Sequence, residues 1–190
     1  MNIKKIIILL LAFTSLMLSG CTSHMYQEKR FEQSKPAESM SISFIKNPNI
    51  QGKLSTVGPV GMGNFKNAKE LANRDISILL QNTEIGIKTK LPTLLEQNGM
   101  KVFENQSDAE GNLRIFPENY VVECGNGGSI CNASVYFRVS FYSKTDKKET
   151  WRAGFKVGVP FGQEQTVEGL TPFFEDITSR LRAFKIGAFK

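Results

Sequence analysis

The sequence predicts an α+β domain in which helices pack on one face of a mostly antiparallel sheet. Residues 133–142 and 151–159 alternate between apolar and polar side chains, which is typical of strands with one buried face. Residues 65–98 and 171–187 instead place apolar side chains three and four positions apart, as amphipathic helices do. These patterns occur in blocks, and blocks of strands and helices favour the α+β class.

The first twenty residues have the layout of an export signal. Two lysines, Lys4 and Lys5, precede an apolar run over residues 6–18. This run has about thirteen residues, whereas a membrane-spanning helix needs roughly twenty. Small residues and a cysteine follow in Leu18-Ser19-Gly20-Cys21, where a secretory signal would be cut. An uncleaved span and a plain signal peptide with an incidental cysteine are the alternatives.

This stretch resembles the signal of bacterial lipoproteins. The resemblance implies a diacylglyceryl thioether on Cys21 and cleavage before it, so that the mature chain begins at a lipidated cysteine held in the membrane. Thr22 follows the cysteine, not Asp, and in that family this implies sorting to the outer membrane. The expected location is therefore the outer membrane, with the protein facing the periplasm.

We expect three segments along the chain: a signal peptide at 1–20, a lipidated cysteine with a flexible tether at 21–40, and a periplasmic α+β domain at 41–190. The tether is predicted because residues 22–40 are polar and show no sustained apolar period. The remaining length is that of one ordinary domain with a real core.

The first half of the domain is predicted to contain two strands and two helices. Residues 41–45 form a strand, and residues 47–64, rich in Gly and Pro, form a loop. Helical periodicity over 65–80 and again up to Asn98 predicts two helices, with Pro92 opening or kinking the second. Gly99 is a suitable C-terminal cap for that helix, and residues 100–103 read as a short strand.

The second half begins with a strand whose face is set by Leu113, Ile115 and Val121, interrupted at Pro117 by an expected bulge. The two alternating strands follow, separated by a turn at 144–148. The last helix is expected to start with Thr171 as N-cap and Pro172 in the first helical position. Its apolar stripe comprises Phe174, Ile177, Leu181 and Phe184, and Gly187 is expected to end it.

Cys124 and Cys131 flank a glycine-rich loop between two predicted strands. An exported protein meets an oxidising compartment, so a disulfide between these two residues is the favoured interpretation. It would close a ring of roughly eight residues and stabilise the fold by about 2–3 kcal/mol in the chain-entropy model. The sole histidine, His24, falls in the predicted tether, so we expect no metal site.

The chain lacks the usual signatures of catalysis. With His24 in the tether, no Ser–His or Cys–His arrangement is available, and neither HExxH nor GxSxG occurs. The glycine-rich stretch 58–64 lacks the spacing and the lysine of a phosphate-binding loop. We therefore predict a protein that is not an enzyme and holds no cofactor, although a Ser–Lys dyad stays open.

Several acidic residues lie near element boundaries, where structural roles are common. We interpret Glu168, Glu175 and Asp176 as partners of the positive end of the last helix. Asp108 and Glu110 border a strand and are interpreted as turn residues.

The charge pattern argues against nucleic acid as a partner. Lysine and arginine number 24 against 18 acidic residues, a net charge of +6, but the basic residues are scattered and often adjoin acids. Trp151 falls on the inward side of its strand and is predicted to be core. Tyr136, Arg138 and Tyr142 share the outward side, and form either a solvated sheet face or a recognition surface.

The order of elements around two segments carries a further resemblance. Asn98-Gly99-Met100-Lys101-Val102 ends a helix and opens a strand, and residues 107–115 then begin a meander with Leu113-Arg114-Ile115. This order is similar to that of the ABC-type transport auxiliary lipoproteins and, more loosely, of the lipopolysaccharide-assembly lipoprotein. The resemblance implies a non-enzymatic accessory or docking component of an envelope complex, with an envelope protein as partner. The alternative is a lipoprotein that binds lipid or glycan in a groove between sheet and helices.

Overall fold

The computed structural model describes residues 22–56, 62–125, 130–159 and 166–189. The elements within these ranges are, in chain order, β1 (Thr22–Arg30), β2 (Ser39–Phe44), β3 (Gln51–Thr56), α1 (Met62–Gln97), β4 (Lys101–Phe103), β5 (Gly111–Gly125), β6 (Ile130–Ser143), β7 (Lys148–Val159), a 3₁₀ turn (Glu168–Leu170) and α2 (Thr171–Ala183).

The strands form one mixed sheet in the order β1-β7-β6-β5-β2-β4, and β3 pairs with the second half of β5 on the same side as β2. β1–β7, β7–β6 and β6–β5 are antiparallel, whereas β5–β2, β5–β3 and β2–β4 are parallel. The α+β class is confirmed, but the expectation of a mostly antiparallel sheet is wrong. Parallel neighbours need a long crossover, and α1 provides one between β3 and the later strands.

Both helices pack on the same face of the sheet and enclose the core. The inward side chains of β6 are fully buried, and they are Val135, Phe137, Val139 and Phe141. The Phe173 ring of α2 lies 5.2 Å from the Phe137 ring and 5.5 Å from the Phe155 ring, measured between centroids. The predicted alternation of β6 and β7 is thus confirmed, and Trp151 is buried as expected.

The predicted tether is wrong for its first part, because Thr22–Arg30 is the edge strand β1. It pairs antiparallel with β7 from Thr22 opposite Gly158 to Arg30 opposite Trp151. An edge strand is held by backbone hydrogen bonds along one side, and only one of its faces meets the core. The polar sequence of β1 fits this position, so the folded domain begins well before residue 41. His24 lies in β1.

One long helix, α1, replaces the two predicted helices and contains Pro92. Its C-terminal end is as predicted: Gly99 has a φ of 87°. The Gly99 N–H donates to the Glu96 carbonyl at 2.9 Å, and the Met100 N–H donates to the Leu95 carbonyl at 3.0 Å. The predicted loop at 47–64 is wrong in part because it contains β3, and residues 57–61 lie outside the described residues.

The bulge expected near Pro117 is present, as a register shift between Pro117 and Asn119. An extra residue reverses the side-chain parity beyond it. Val122 and Cys124 are therefore buried, and Val121, predicted to share the face of Leu113, is not on the core side.

The last helix begins near the predicted position but is capped differently. A 3₁₀ turn precedes it, and Leu170 rather than Thr171 occupies the N-cap, without a side-chain hydrogen bond. Pro172 lies in the first turn, as predicted. The helix ends at Ala183, and Gly187 instead forms a parallel bridge with Ala37. Within the described ranges, neither helix has the length and apolar character needed to span a bilayer.

Candidate functional site

A groove of about 600 Å³ lies between α1 and the strands β2 and β4, at one edge of the sheet. We call it the edge groove. Its floor is apolar and its rim is charged. The floor residues are Ile42, Phe44, Ile87, Pro92, Val102 and Phe103, and the rim residues are Glu84, Lys88, Glu96 and Glu104.

The backbone beside the edge groove has hydrogen-bonding groups that no described strand pairs. β4 pairs only with Ser39, Met40 and Ser41 of β2, although β2 continues to Phe44. The Ile45 N–H donates to the Ile115 carbonyl of β5 at 2.9 Å. Because alternate residues of a strand point their backbone groups to opposite sides, those of Ile42 and Phe44 point away from β5. The Ile42 N–H faces Phe103 of β4, whereas the Ile42 carbonyl and both Phe44 groups point to the open edge.

The rim of the edge groove carries excess negative charge. Glu84 is held by Lys46 and Lys88, each at 3.0 Å, and these hydrogen bonds lower the pKa of Glu84. Glu96 and Glu104 are exposed and have no ion pair with another described residue. The rim is therefore suited to a basic group.

Pro92 adds a backbone acceptor to the wall of the edge groove. Proline has no N–H, so the Lys88 carbonyl one turn earlier lacks its normal helical donor. Both residues line the groove. An N–H from a bound molecule would satisfy this carbonyl.

The second surface is the face of the sheet opposite the helices, which no described element covers; we call it the open face. Cationic groups lie over its aromatic rings: the Arg114 guanidinium is 4.9 Å from the Tyr142 ring centroid, and the Lys156 ammonium is 5.9 Å from that of Tyr136. The predicted outward side of Tyr136, Arg138 and Tyr142 is confirmed, and all three are half-buried. These contacts fix the positions of side chains on the open face and leave the face uncovered.

Tyr26 of β1 joins the open face, which sequence reasoning missed because it assigned this residue to a tether. Its ring meets the Tyr136 ring edge-on at 5.4 Å, and its hydroxyl donates to Glu118 at 3.5 Å. Burial, followed by the Glu118 charge, raises the pKa of Tyr26. Glu118 also lies 3.5 Å from Arg138.

Two of the three cysteines lie within the described residues. Cys21 lies outside the described residues. Cys124 is buried, and it lies directly opposite Cys131 in the β5–β6 register. Opposed antiparallel residues have Cα atoms about 4.5–5.5 Å apart, a separation that a disulfide can bridge. The register supports the predicted disulfide, which stays a prediction.

Three of the acidic residues that the sequence singles out have structural partners. Glu110 accepts the Glu38 N–H at 2.8 Å, and Asp176 lies 3.5 Å from Arg180 on the same helix. Asp108 bonds its neighbour Ser107. Among the described residues, no group of three or more His, Cys, Asp or Glu side chains could hold a metal ion.

Comparison with known proteins adds little to these geometric findings. No protein-family model matches the chain, and no curated protein matches it in sequence. Among solved structures, a single-substitution variant of the PelC dodecamer from Paraburkholderia phytofirmans is similar at 9% identity and a TM-score of 0.33, over 80% of this chain and 96% of that chain. A second PelC dodecamer from the same organism has 11% identity and a TM-score of 0.28, over 87% and 95%. TM-scores this low support no argument about fold or function.

Proposed function

We propose that this chain is a non-enzymatic lipoprotein, anchored in the outer membrane through Cys21 and facing the periplasm, that docks a protein of an envelope complex in the edge groove. The observation that carries the docking role is an apolar floor beside unpaired strand backbone. The lipoprotein part is supported by the Leu18-Ser19-Gly20-Cys21 signal.

The occupant that fits the edge groove is an extended, apolar segment of the partner with a basic residue near one end. Such a segment would add a strand beside residues 42–44 and donate to their free backbone acceptors. Its alternate side chains would enter the groove and cover Ile87 and Pro92. Glu96 and Glu104 would receive the basic residue, and charge complementarity of this kind sets register and specificity.

Because of the position of β1, few residues would separate the proposed lipid anchor from the folded domain. β1 starts at Thr22, directly after Cys21, and is paired from its first residue. The lipid would therefore hold the domain close to the bilayer by the β1 edge. The edge groove lies beside β2, four strands away in the sheet at roughly 4.8 Å per strand, and so is well separated from the anchored edge.

Photo-crosslinking in cells tests the docking role. A benzoylphenylalanine at Phe103, in the edge groove, should give a specific crosslinked product of increased mass. The same probe at Ile85 is the matched control, because Ile85 is 42% exposed and Phe103 39%, but only Phe103 lines the groove. Reversing the rim charge with Glu96→Lys and Glu104→Lys should reduce the product several-fold. Equal products at both probe positions, or none at Phe103, would contradict docking in the groove.

The anchor has its own test in the Cys21→Ser variant. Without the thiol no thioether forms, so this variant should accumulate as a precursor that retains residues 1–20 and carries no acyl chains. Mass spectrometry of the membrane fraction, compared with the unmodified protein, provides the measurement. Normal acylation and membrane-bound maturation of Cys21→Ser would refute the lipoprotein assignment.

A second candidate function uses the same groove. Its apolar floor and its volume of about 600 Å³ also suit an acyl chain, as expected for a lipid-binding lipoprotein. Native mass spectrometry separates the two functions: a co-purified lipid that is lost in the Phe103→Asp variant favours lipid binding, and a lipid-free protein with a crosslinked partner favours docking.

A further inference from the structure

The open face contains a depression of about 190 Å³ between β1, β7, β6 and β5, separate from the edge groove. We call it the basic pocket. Its wall includes Tyr26 on one side and three cations, Lys29, Arg138 and Arg152, with Glu118 as its one carboxylate.

Gly154 lies in the lining of the basic pocket and lets the Tyr26 ring rest against the backbone. A Cβ at Gly154 would lie 2.5 Å from the Tyr26 ring, closer than atoms can approach. The β1 register shift between Met25 and Gln27 brings Tyr26 to this place. The ring is thus held between Gly154 and Tyr136, with 44% of the residue still exposed. It offers a fixed aromatic surface.

The two arginines of the basic pocket are held in position by neighbouring groups, yet each keeps N–H donors for another anion. Arg138 lies over the Phe116 ring at 4.9 Å and 3.5 Å from Glu118, and its side chain is 39% exposed. Arg152 lies 2.7 Å from Glu149 and its side chain is 45% exposed. A guanidinium has five N–H donors in a planar fork, so one carboxylate neighbour leaves donors for a second anion.

The size and chemistry of the basic pocket select a class of ligand. Its volume corresponds to about six water molecules at roughly 30 Å³ each, which is the scale of one hexose ring. Three cations against the two carboxylates that pair with the arginines, Glu118 and Glu149, leave an excess of positive charge that favours an anion. The aromatic side of Tyr26 suits the C–H face of a sugar ring, and Glu118 can accept from a hydroxyl.

We propose that the basic pocket binds a hexose-sized anionic group, a sugar unit that carries a carboxylate or a phosphate. The anion lies between Arg138 and Arg152, where both guanidinium groups can donate to it. The sugar ring packs on Tyr26. Carboxylate sugars occur in acidic glycans and phosphorylated sugars in glycolipid headgroups, and the two sources share this recognition chemistry.

Ligand-observed NMR titration of the purified full chain in detergent micelles tests the proposal with three probes: glucuronate, glucose 6-phosphate and glucose. We expect at least one anionic probe to bind, and glucose to bind at least about tenfold more weakly, since it lacks the anion that accepts charge-assisted hydrogen bonds from the guanidinium groups. Binding of glucuronate alone identifies a glycan source, and binding of glucose 6-phosphate alone identifies a headgroup source.

Variants localise the binding. Arg138→Gln and Arg152→Gln should each weaken the anionic probe about tenfold, and added salt should weaken it in the unmodified protein. The control is Arg182→Gln, an exposed arginine of α2 away from the basic pocket. Circular dichroism of each variant verifies folding. Failure of both anions to bind, equal affinity for glucose, or unchanged affinity in both folded pocket variants would overturn the proposal.

Discussion

Glu28 connects the edge strand β1 to the core through one buried indole. Trp151 is completely buried, and its Nε1–H donates to the Glu28 carboxylate at 2.9 Å. Arg180 of α2 approaches the same carboxylate at 3.9 Å. A buried indole N–H needs an acceptor, because leaving it without one costs the full desolvation of that group. One side chain thus links β1, β7 and α2.

Glu28→Ala removes this acceptor and should lower the free energy of unfolding by about 1–3 kcal/mol. Glu28→Gln keeps an oxygen at the same position and should lose clearly less. Urea unfolding followed by tryptophan fluorescence measures both variants, since Trp151 is the chain's one tryptophan. Glu32→Ala, at an exposed position just after β1, should be neutral. Equal losses for the Ala and Gln variants would show that the hydrogen bond does not matter.

At this scale the sequence predicts burial well where alternation is uninterrupted. The inward residues of β6 and β7, including Trp151, follow directly from their parity. The place of Val121 does not follow from its parity, because a bulge at Pro117 reverses the parity beyond it. The position of a bulge within a strand cannot be read from composition. The pairing of Glu28 with Trp151 joins residues 123 positions apart, and local patterns contain no information on such a contact.

Among the elements, β1 shows why a polar sequence is poor evidence for a tether. The segment lacks apolar periodicity, and this absence was the basis of the tether prediction. A strand at the edge is stabilised by its backbone pairing with β7, and it needs few apolar side chains because only one face meets the core. The helical periodicity of α1 predicts most of its residues, but it divides them into two helices, with Pro92 opening or kinking the second, whereas one helix runs from Met62 to Gln97.

Hydrogen exchange distinguishes the strand from a tether. Amides of residues 22–30 that bond to β7 should exchange at least about tenfold more slowly than those of the exposed turn at 104–107, because they open only with the sheet. Mass spectrometry of peptides from the detergent-solubilised protein gives both rates in one sample. Exchange of residues 22–30 as fast as that of the turn would show that β1 is not stably paired in solution.

At the scale of the whole molecule, the segment between β1 and β2 connects the two sides of the sheet. β1 lies at one edge and β2 lies four strands away, so residues 31–38 cross the end of the sheet. Sequence patterns predicted most of the helical residues and most strands but not this order, since strand pairing depends on contacts between distant segments. The mixed sheet follows from this crossing and from the α1 crossover. Local periodicity indicates neither of these connections.

Two carboxylates fasten the crossing segment. Asp146 accepts the Ser34 N–H at 3.3 Å and the Ser143 hydroxyl at 2.8 Å, and these hydrogen bonds hold its pKa below the ordinary value of 3.8. Glu110 accepts the Glu38 N–H at 2.8 Å and lies 3.3 Å from Lys35, and these contacts hold its pKa below 4.5. The crossing segment is thereby bound to the ends of β5 and β6.

The lowered pKa values give the stability of the molecule a definite dependence on pH. A carboxyl group with a lower pKa in the folded state stabilises that state fully above its unfolded pKa, here above about pH 5, and loses this contribution as the pH falls through the folded value. Stability should therefore decrease on acidification below pH 4.5.

In Asp146→Asn and Glu110→Gln the decrease should be smaller, and it should be smallest in the double variant. Urea unfolding at neutral and acidic pH measures these differences, with Glu104→Gln as the control because Glu104 has no ion pair among the described residues. The same acid sensitivity in the double variant and in the unmodified protein would show that these two carboxylates do not fasten the segment.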